Sequence, residues 1–123
     1  MSEHVRQLID AYNDAWNAQD LDAVMSMHTE ETVFENHTSG ERAEGSAAVR
    51  PHIGGIFARW PSLRFRGRRL YVAEAFVASE WTASATRDDG ATIEWDVDVF
   101  PLRDGKIARK DVYSSSHAPR IVA

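Results

Sequence analysis

Apolar residues recur along the first half of the chain at helical spacing and along the second half at strand spacing. Val5, Leu8, Ile9, Tyr12 and Trp16 form one stripe with a period near 3.6. Ser2 can cap that helix, and Glu3 suits its positive N-terminal end. Asn17-Ala18-Gln19 interrupts the stripe, and Asp20 caps a second short helix carrying Leu21, Val24, Met25 and His28. Thr32 to Asn36 is β-rich and runs into polar turn residues through Gly40, and a short return strand follows near Arg42 to Glu44. Ser46 opens a third helix with Val49, Ile53, Ile56 and Phe57 inward. Pro51 removes a hydrogen bond from it, and Gly54 and Gly55 each cost about 1 kcal/mol relative to alanine. A kink or break is therefore expected between Pro51 and Gly55, in the most mobile of the helices. Trp60-Pro61 ends it.

Four strands are predicted beyond this point: Leu63 to Val72, Phe76 to Thr86, Thr92 to Leu102 and Lys106 to Ser114. Asp88-Asp89-Gly90 and Asp104-Gly105 mark tight hairpins between them. Consecutive hairpins imply an antiparallel sheet. Helices followed by a meander place the helices on one face, with a cleft for a ligand between the layers. The expected fold class is thus α+β: three N-terminal helices packed on a curved antiparallel sheet, as a single domain over residues 1–123.

Composition narrows the function classes. At 123 residues there is room for one core. There is no cysteine, which excludes disulfides, a thiol nucleophile and thiolate-ligated metal, and fits a reducing cytoplasmic setting. Charged residues make up 27% and the net charge is −5, so nucleic acid is not the expected partner. The basic run Arg64, Arg66, Arg68 and Arg69 alternates with Phe65 and Leu70 and reads as the wet face of a strand. No basic start followed by an apolar run marks a signal peptide, and no apolar stretch approaches the ~18 residues of a membrane span. No histidine pair has a spacing that gathers three ligands, so no metal is expected, and glycine-rich phosphate cradles are absent.

The strand at 92–102 admits two orientations. One face carries Ile93, Trp95, Val97 and Val99, and the other carries Glu94, Asp96, Asp98 and Phe100. Burial energetics alone put the apolar face toward the helices.

A resemblance points the other way. The stretch Ala11-Tyr12-Asn13-Asp14-Ala15-Trp16-Asn17-Ala18-Gln19-Asp20-Leu21-Asp22 resembles the start of steroid Δ5-3-ketoisomerases and SnoaL-like polyketide cyclases. So do Phe34-Glu35-Asn36 through Gly40, Gly45 and Val49, and the block Val97-Asp98-Val99-Phe100 before Asp104-Gly105-Lys106-Ile107. The resemblance covers nearly the whole chain. It implies the cone-shaped nuclear-transport-factor-like fold and a pocket for a small apolar ligand.

It also implies that Tyr12 and a protonated Asp98 hold a developing oxyanion, as the isomerases do. Asp98 would then face inward, and alternation along one strand would turn Trp95, Val97 and Val99 outward, a face suited to a homodimer. The isomerase general base would fall at Asn36, whose amide cannot abstract a proton. The related limonene epoxide hydrolases place an arginine where Asp96 stands and an aspartate where Val112 stands, so that triad is broken as well.

The candidate catalytic residues are accordingly Tyr12, Asp98, His52 and Asp96. His52 is able to titrate near neutral pH, and the Asp96–Asp98 pair is able to retain a proton through burial and mutual repulsion. Trp16, Asn36, His37, Phe57, Trp81, Glu94 and Val112 are the candidate substrate contacts. His28 reads as a core or boundary residue. The expected activity is cofactor-independent proton transfer on a carbonyl or hydroxyl compound: isomerisation, cyclisation or dehydration. The alternative is a binding or assembly module with the same fold.

Overall fold

The computed structural model describes residues 2–73, 76–86, 92–113 and 120–122; for Ser2, Arg68, residues 92–100 and residues 120–122 it describes the backbone alone. Among the described residues three helices, α1 (Ser2–Ala18), α2 (Leu21–Ser26) and α3 (Ser46–Arg59), accompany seven strands. The strands are β1 (His28–Asn36), β2 (Glu41–Glu44), β3 (Arg64–Ala73), β4 (Phe76–Thr86), β5 (Thr92–Arg103), β6 (Lys106–Val112) and β7 (Arg120–Val122). Among the described residues no helix is long and apolar enough to cross a membrane. The hairpin signal at residues 88–90 lies outside the described residues.

The sheet order is β2-β1-β6-β5-β4-β3, with β7 paired to β5. The β3–β4–β5–β6 run is the expected meander, but the sheet is mixed rather than wholly antiparallel, because β1 pairs in parallel with β6. The meander ends at β6, and β1, flanked by β2 on its other side, runs in the same direction as β6. β7 pairs with β5 at Thr92, Ile93 and Glu94, while β6 pairs with it from Asp98 onward. Its three residues carry no turn or periodicity signal, and the sequence did not reveal it.

Register slips bend the sheet. One residue is added in β3 between Gly67 and Arg69, and another in β4 between Ser79 and Thr82. Bulges of this kind bend the strand and sharpen its twist, which gives an open, curved sheet. The side-chain orientations along residues 92–100, on which the expected inward Asp98 and outward Trp95 depend, lie outside the described residues.

Two further expectations change. His28 does not close the α2 stripe: Met27 caps the helix and His28 begins β1. α3 runs unbroken through Pro51, so the expected break does not occur, and only the Ala47 carbonyl forfeits its helical donor. Gly54 lets the helices approach, since a Cβ there would sit 3.4 Å from Leu21 Cδ2. Gly45 precedes the helix at φ 82°, a conformation that favours glycine. Asp104 and Gly105, at φ 53° and 73°, make the left-handed turn that their sequence predicted.

α1 is fastened to the β3 edge. Asn17 Nδ2 donates to the Phe65 carbonyl at 3.1 Å, and the Phe65 amide donates to Asn17 Oδ1 at 2.7 Å. Ile9, Tyr12 and Trp16 of α1, Val49, Ile53 and Phe57 of α3, and Val77, Trp81, Ala83 and Ala85 of β4 form the core.

Candidate functional site

The polar groups of interest lie inside this core. Tyr12 is fully buried on α1, and its hydroxyl lies 2.8 Å from His28 Nε2 at the start of β1. The other ring nitrogen, Nδ1, lies 2.7 Å from Thr32 Oγ1. Burial, assisted by the positive charge of Lys110, lowers the His28 pKa to about 3. The imidazole is therefore neutral at physiological pH and donates through one nitrogen while accepting through the other. Tyr12, His28 and Thr32 form a continuous buried chain of exchangeable protons. His28 also lines a groove of about 410 Å³ with Asp22, Met25, Glu30, Ser46 and Arg50, between α2, β1 and the start of α3.

Lys110 stands beside this chain. It pairs with Phe34 in the parallel β1–β6 ladder and is only 2% exposed. Its ammonium lies over four aromatic rings: Trp16 at 4.8 Å, Trp81 at 5.0 Å, Tyr12 at 5.1 Å and Phe34 at 6.0 Å from the centroids. Ring faces stabilise a desolvated cation. Phe65 presses edge-on against both tryptophans, with centroids 5.3 Å from Trp16 and 4.0 Å from Trp81, and Phe57 meets Trp16 at 5.1 Å.

Of the residues expected from the sequence, the structure brings Tyr12, Trp16, Phe57 and Trp81 together here. His52 lies one step away. Its ring packs on Phe34 with centroids 4.7 Å apart, its Nε2 has no hydrogen-bond partner among the described residues, and a Glu41 carboxylate oxygen lies 3.5 Å from it. Asn36 and Asp98 both pair with Val112, so these three positions form one row across β1, β6 and β5. The Asn36 Oδ1 accepts from the Thr38 and Ser39 amides at 3.0 and 3.1 Å, closing the turn after β1. The side chains of Glu94, Asp96 and Asp98 lie outside the described residues.

His37 joins a different group. Its Nε2 is 2.7 Å from Asp111 Oδ1, its Nδ1 is 3.7 Å from Glu35 Oε2, and its ring stacks on Tyr113. Glu35 and Asp111 alternate with Phe34 and Lys110, which puts this group on the opposite side of β1 and β6. The Glu35, His37 and Asp111 ligand atoms lie within 4.8 Å of one another, a spacing that suits a metal ion. Arg109 already holds the carboxylates, donating to Asp111 at 2.7–2.9 Å and to Glu35 at 2.6 Å. The hydrogen bond from Arg109 keeps the Glu35 carboxyl low. Burial pushes the Asp111 carboxyl up, and hydrogen bonds from Arg109 and His37 more than offset it. The cluster is a salt-bridged patch whose positive charge the chain itself supplies.

Sequence reasoning missed Lys110 and Thr32 and misplaced His28. Alternation from Ile107 puts Lys110 with the wet residues. The slip between Val99–Leu102 and Ile107–Asp111 lets Ile107 and Lys110, three apart, both be buried.

Comparison with known proteins follows from this geometry. No match was found among curated proteins. A SnoaL-like protein of unknown function from Burkholderia thailandensis has 19% identity and a TM-score of 0.77, over 94% of this chain and 98% of that one. An NTF-2 like protein of unknown function from Burkholderia xenovorans has 22% identity and a TM-score of 0.76, over 94% and 85%. A protein with the ketosteroid isomerase-like fold from Catenulispora acidiphila, in complex with trimethylamine, has 16% identity and a TM-score of 0.76, over 90% and 88%. At these identities the likeness establishes the fold and no particular reaction. The sequence itself matches the SnoaL-like domain over residues 9–110, most of its length, and the chain belongs to that family.

Proposed function

We propose that this SnoaL-like protein is a cofactor-independent enzyme that moves a proton on a small, mostly apolar carbonyl or hydroxyl compound, by isomerisation, cyclisation or dehydration. The observation that carries this reading is the 2.8 Å contact between the Tyr12 hydroxyl and a neutral, buried His28. A neutral imidazole bonded at both nitrogens relays a proton by exchanging tautomers, with no charge left behind in the core. Tyr12 is the group that meets the substrate oxygen, with Asp98 as its partner in that role. His52 and Asp96 are further candidates for carrying the proton. The remaining contacts, Trp16, Phe57 and Trp81, supply an apolar, aromatic wall.

The test is wash-in of deuterium from D2O at carbon next to the carbonyl, followed by NMR over a panel of neutral cyclic ketones. Exchange above the buffer rate, reduced about 10²-fold or more by Tyr12→Phe, is the expected result. Exchange that is indifferent to Tyr12 would overturn the assignment.

One observation favours a second reading, a carrier with no turnover. The isomerase base falls at Asn36, and the oxygen of that side chain is committed to two backbone amides. A ligand recovered unchanged from the protein, with no deuterium exchange, is the outcome that reading requires.

A further inference from the structure

We propose that the open edge of β3 takes up an extended acidic segment of a partner protein as an added strand, with Arg66 and Arg69 pairing carboxylates on one face of that segment. The inference goes beyond the proton-transfer reading and does not depend on it.

β3 ends the sheet order, and β4 is its one partner strand among the described residues. Its other edge is closed at one point, where Asn17 takes both the amide and the carbonyl of Phe65. From Arg66 to Ala73, every backbone hydrogen bond among the described residues lies within the β3–β4 ladder. Backbone groups alternate between the two edges of a strand, so Phe65 marks the outward set, and the slip between Gly67 and Arg69 moves that set to Leu70 and Val72. Gly67, at the slip, is exposed, and a Cβ there would meet nothing within 4 Å. A glycine inside a strand often marks a place where another backbone comes close. An edge of this kind is a template for one more strand.

The side chains choose the occupant. Arg64, Arg66 and Arg69 are exposed and pair with Ser84, Thr82 and Glu80. Those β4 positions alternate with the buried Ala83, Trp81 and Ser79, so the three arginines share the sheet face away from the core. Tyr71, 50% exposed, continues the row, and Arg69 Nη1 donates to its hydroxyl at 3.3 Å. Glu80 is the one acid in β4, so the row keeps a positive excess on a chain whose net charge is −5. Arg64 and Arg66 stand about 7 Å apart along the strand, the spacing of side chains on one face of an extended peptide. A second copy of this chain laid edge to edge would set arginine against arginine, which destabilises the pairing. A phosphate backbone would satisfy the guanidinium groups and leave the outward amides and carbonyls of Leu70 and Val72 without partners. An acidic strand satisfies both. The charges that keep ordinary strands off this edge thus select one of opposite sign.

The experiment titrates the 15N-labelled full chain with four probes: a short blocked peptide alternating glutamate with threonine, its lysine-for-glutamate counterpart, a fully N-methylated form of the glutamate peptide, and single-stranded oligothymidylate. The glutamate peptide is expected to shift the amides of residues 67–73 and to slow hydrogen exchange at Leu70 and Val72, while the amide of Ile53 in α3 stays in place. It should bind about tenfold or more tightly than the lysine peptide, and the double variant Arg66→Gln, Arg69→Gln should remove that preference. Both arginines are exposed, so the variant should keep the wild-type Tm. The N-methylated peptide keeps the charges and loses every backbone donor, and it should bind severalfold more weakly. Equal binding by that peptide would reduce the contact to charge attraction and overturn the added strand. Tighter binding of oligothymidylate, protection of residues 67–73 by self-association of the chain alone, or no binding of the glutamate peptide would overturn the proposal as well.

Discussion

The Tyr12 hydroxyl and His28 Nε2 lie 2.8 Å apart although sixteen residues separate them, one on the first helix and one on the first strand. The contact fixes the ring of a histidine whose pKa burial has lowered from 6.5 to about 3. The unfolded chain takes up a proton on His28 below pH 6.5, and the folded chain does not until about pH 3. The unfolded state therefore binds more protons across that window, and stability falls as the pH falls through it. Between pH 7 and pH 5 the loss from this residue is on the order of 2 kcal/mol. Urea unfolding at the two pH values measures it, and His28→Gln should flatten the dependence. A His28 ring signal in NMR that titrates near 6.5 would refute the neutral assignment.

Lys110 contributes to the same shift, second to burial. Lys110→Met removes the charge while keeping the length of the side chain, so the His28 pKa should rise. The Met variant should also remain folded, because a thioether among Trp16, Trp81 and Phe34 makes favourable sulfur–aromatic contacts. An NMR titration of His28 in both proteins checks the direction. An unchanged or lower midpoint in the variant would show that Lys110 carries no charge that reaches the imidazole.

Much of the fold was legible because turns and periodicity are local signals. Phe76–Thr86 was bounded correctly by its own alternation, and Asp104-Gly105 by its turn chemistry. The parallel pairing of β1 with β6 was not legible, since it depends on which edge the finished meander presents. The site was half legible. Tyr12, Trp16, Phe57 and Trp81 follow from apolar stripes that point inward. Lys110 does not, because a lysine on a strand reads as wet until register slips and facing rings are known. His28 sits at a helix-to-strand boundary, where the two periodicities give opposite answers.

Asn17 belongs to the Asn17-Ala18-Gln19 segment that interrupts the apolar stripe, and it lies within the last turn of α1. Its amide makes two hydrogen bonds to the backbone of Phe65, closing part of the β3 edge. Asn17→Ala should cost about 1–3 kcal/mol, since it leaves a donor and an acceptor of the strand without partners. Hydrogen exchange at the Phe65 amide should accelerate more than at Val77 in β4. Uniform acceleration across the sheet would mean that the loss is global and that the Asn17 contact is not specific.

The glycines around α3 should respond in opposite directions. Gly55 is exposed in the helix interior, and a Cβ there meets nothing within 4 Å. Gly55→Ala removes backbone freedom from the unfolded chain and should stabilise by about 0.5–1 kcal/mol. Gly54→Ala gains the same propensity but places its methyl 3.4 Å from Leu21 Cδ2, so the gain should be smaller. Gly45 lies just before the helix at φ 82°, where an L side chain is strained, and Gly45→Ala should destabilise by about 1 kcal/mol or more. Thermal unfolding of the three variants ranks them directly as Gly55→Ala above Gly54→Ala above Gly45→Ala. A destabilising Gly55→Ala would mean that the flexibility of this proline-containing helix is itself part of the native balance, because neither contact nor backbone angle opposes the added methyl.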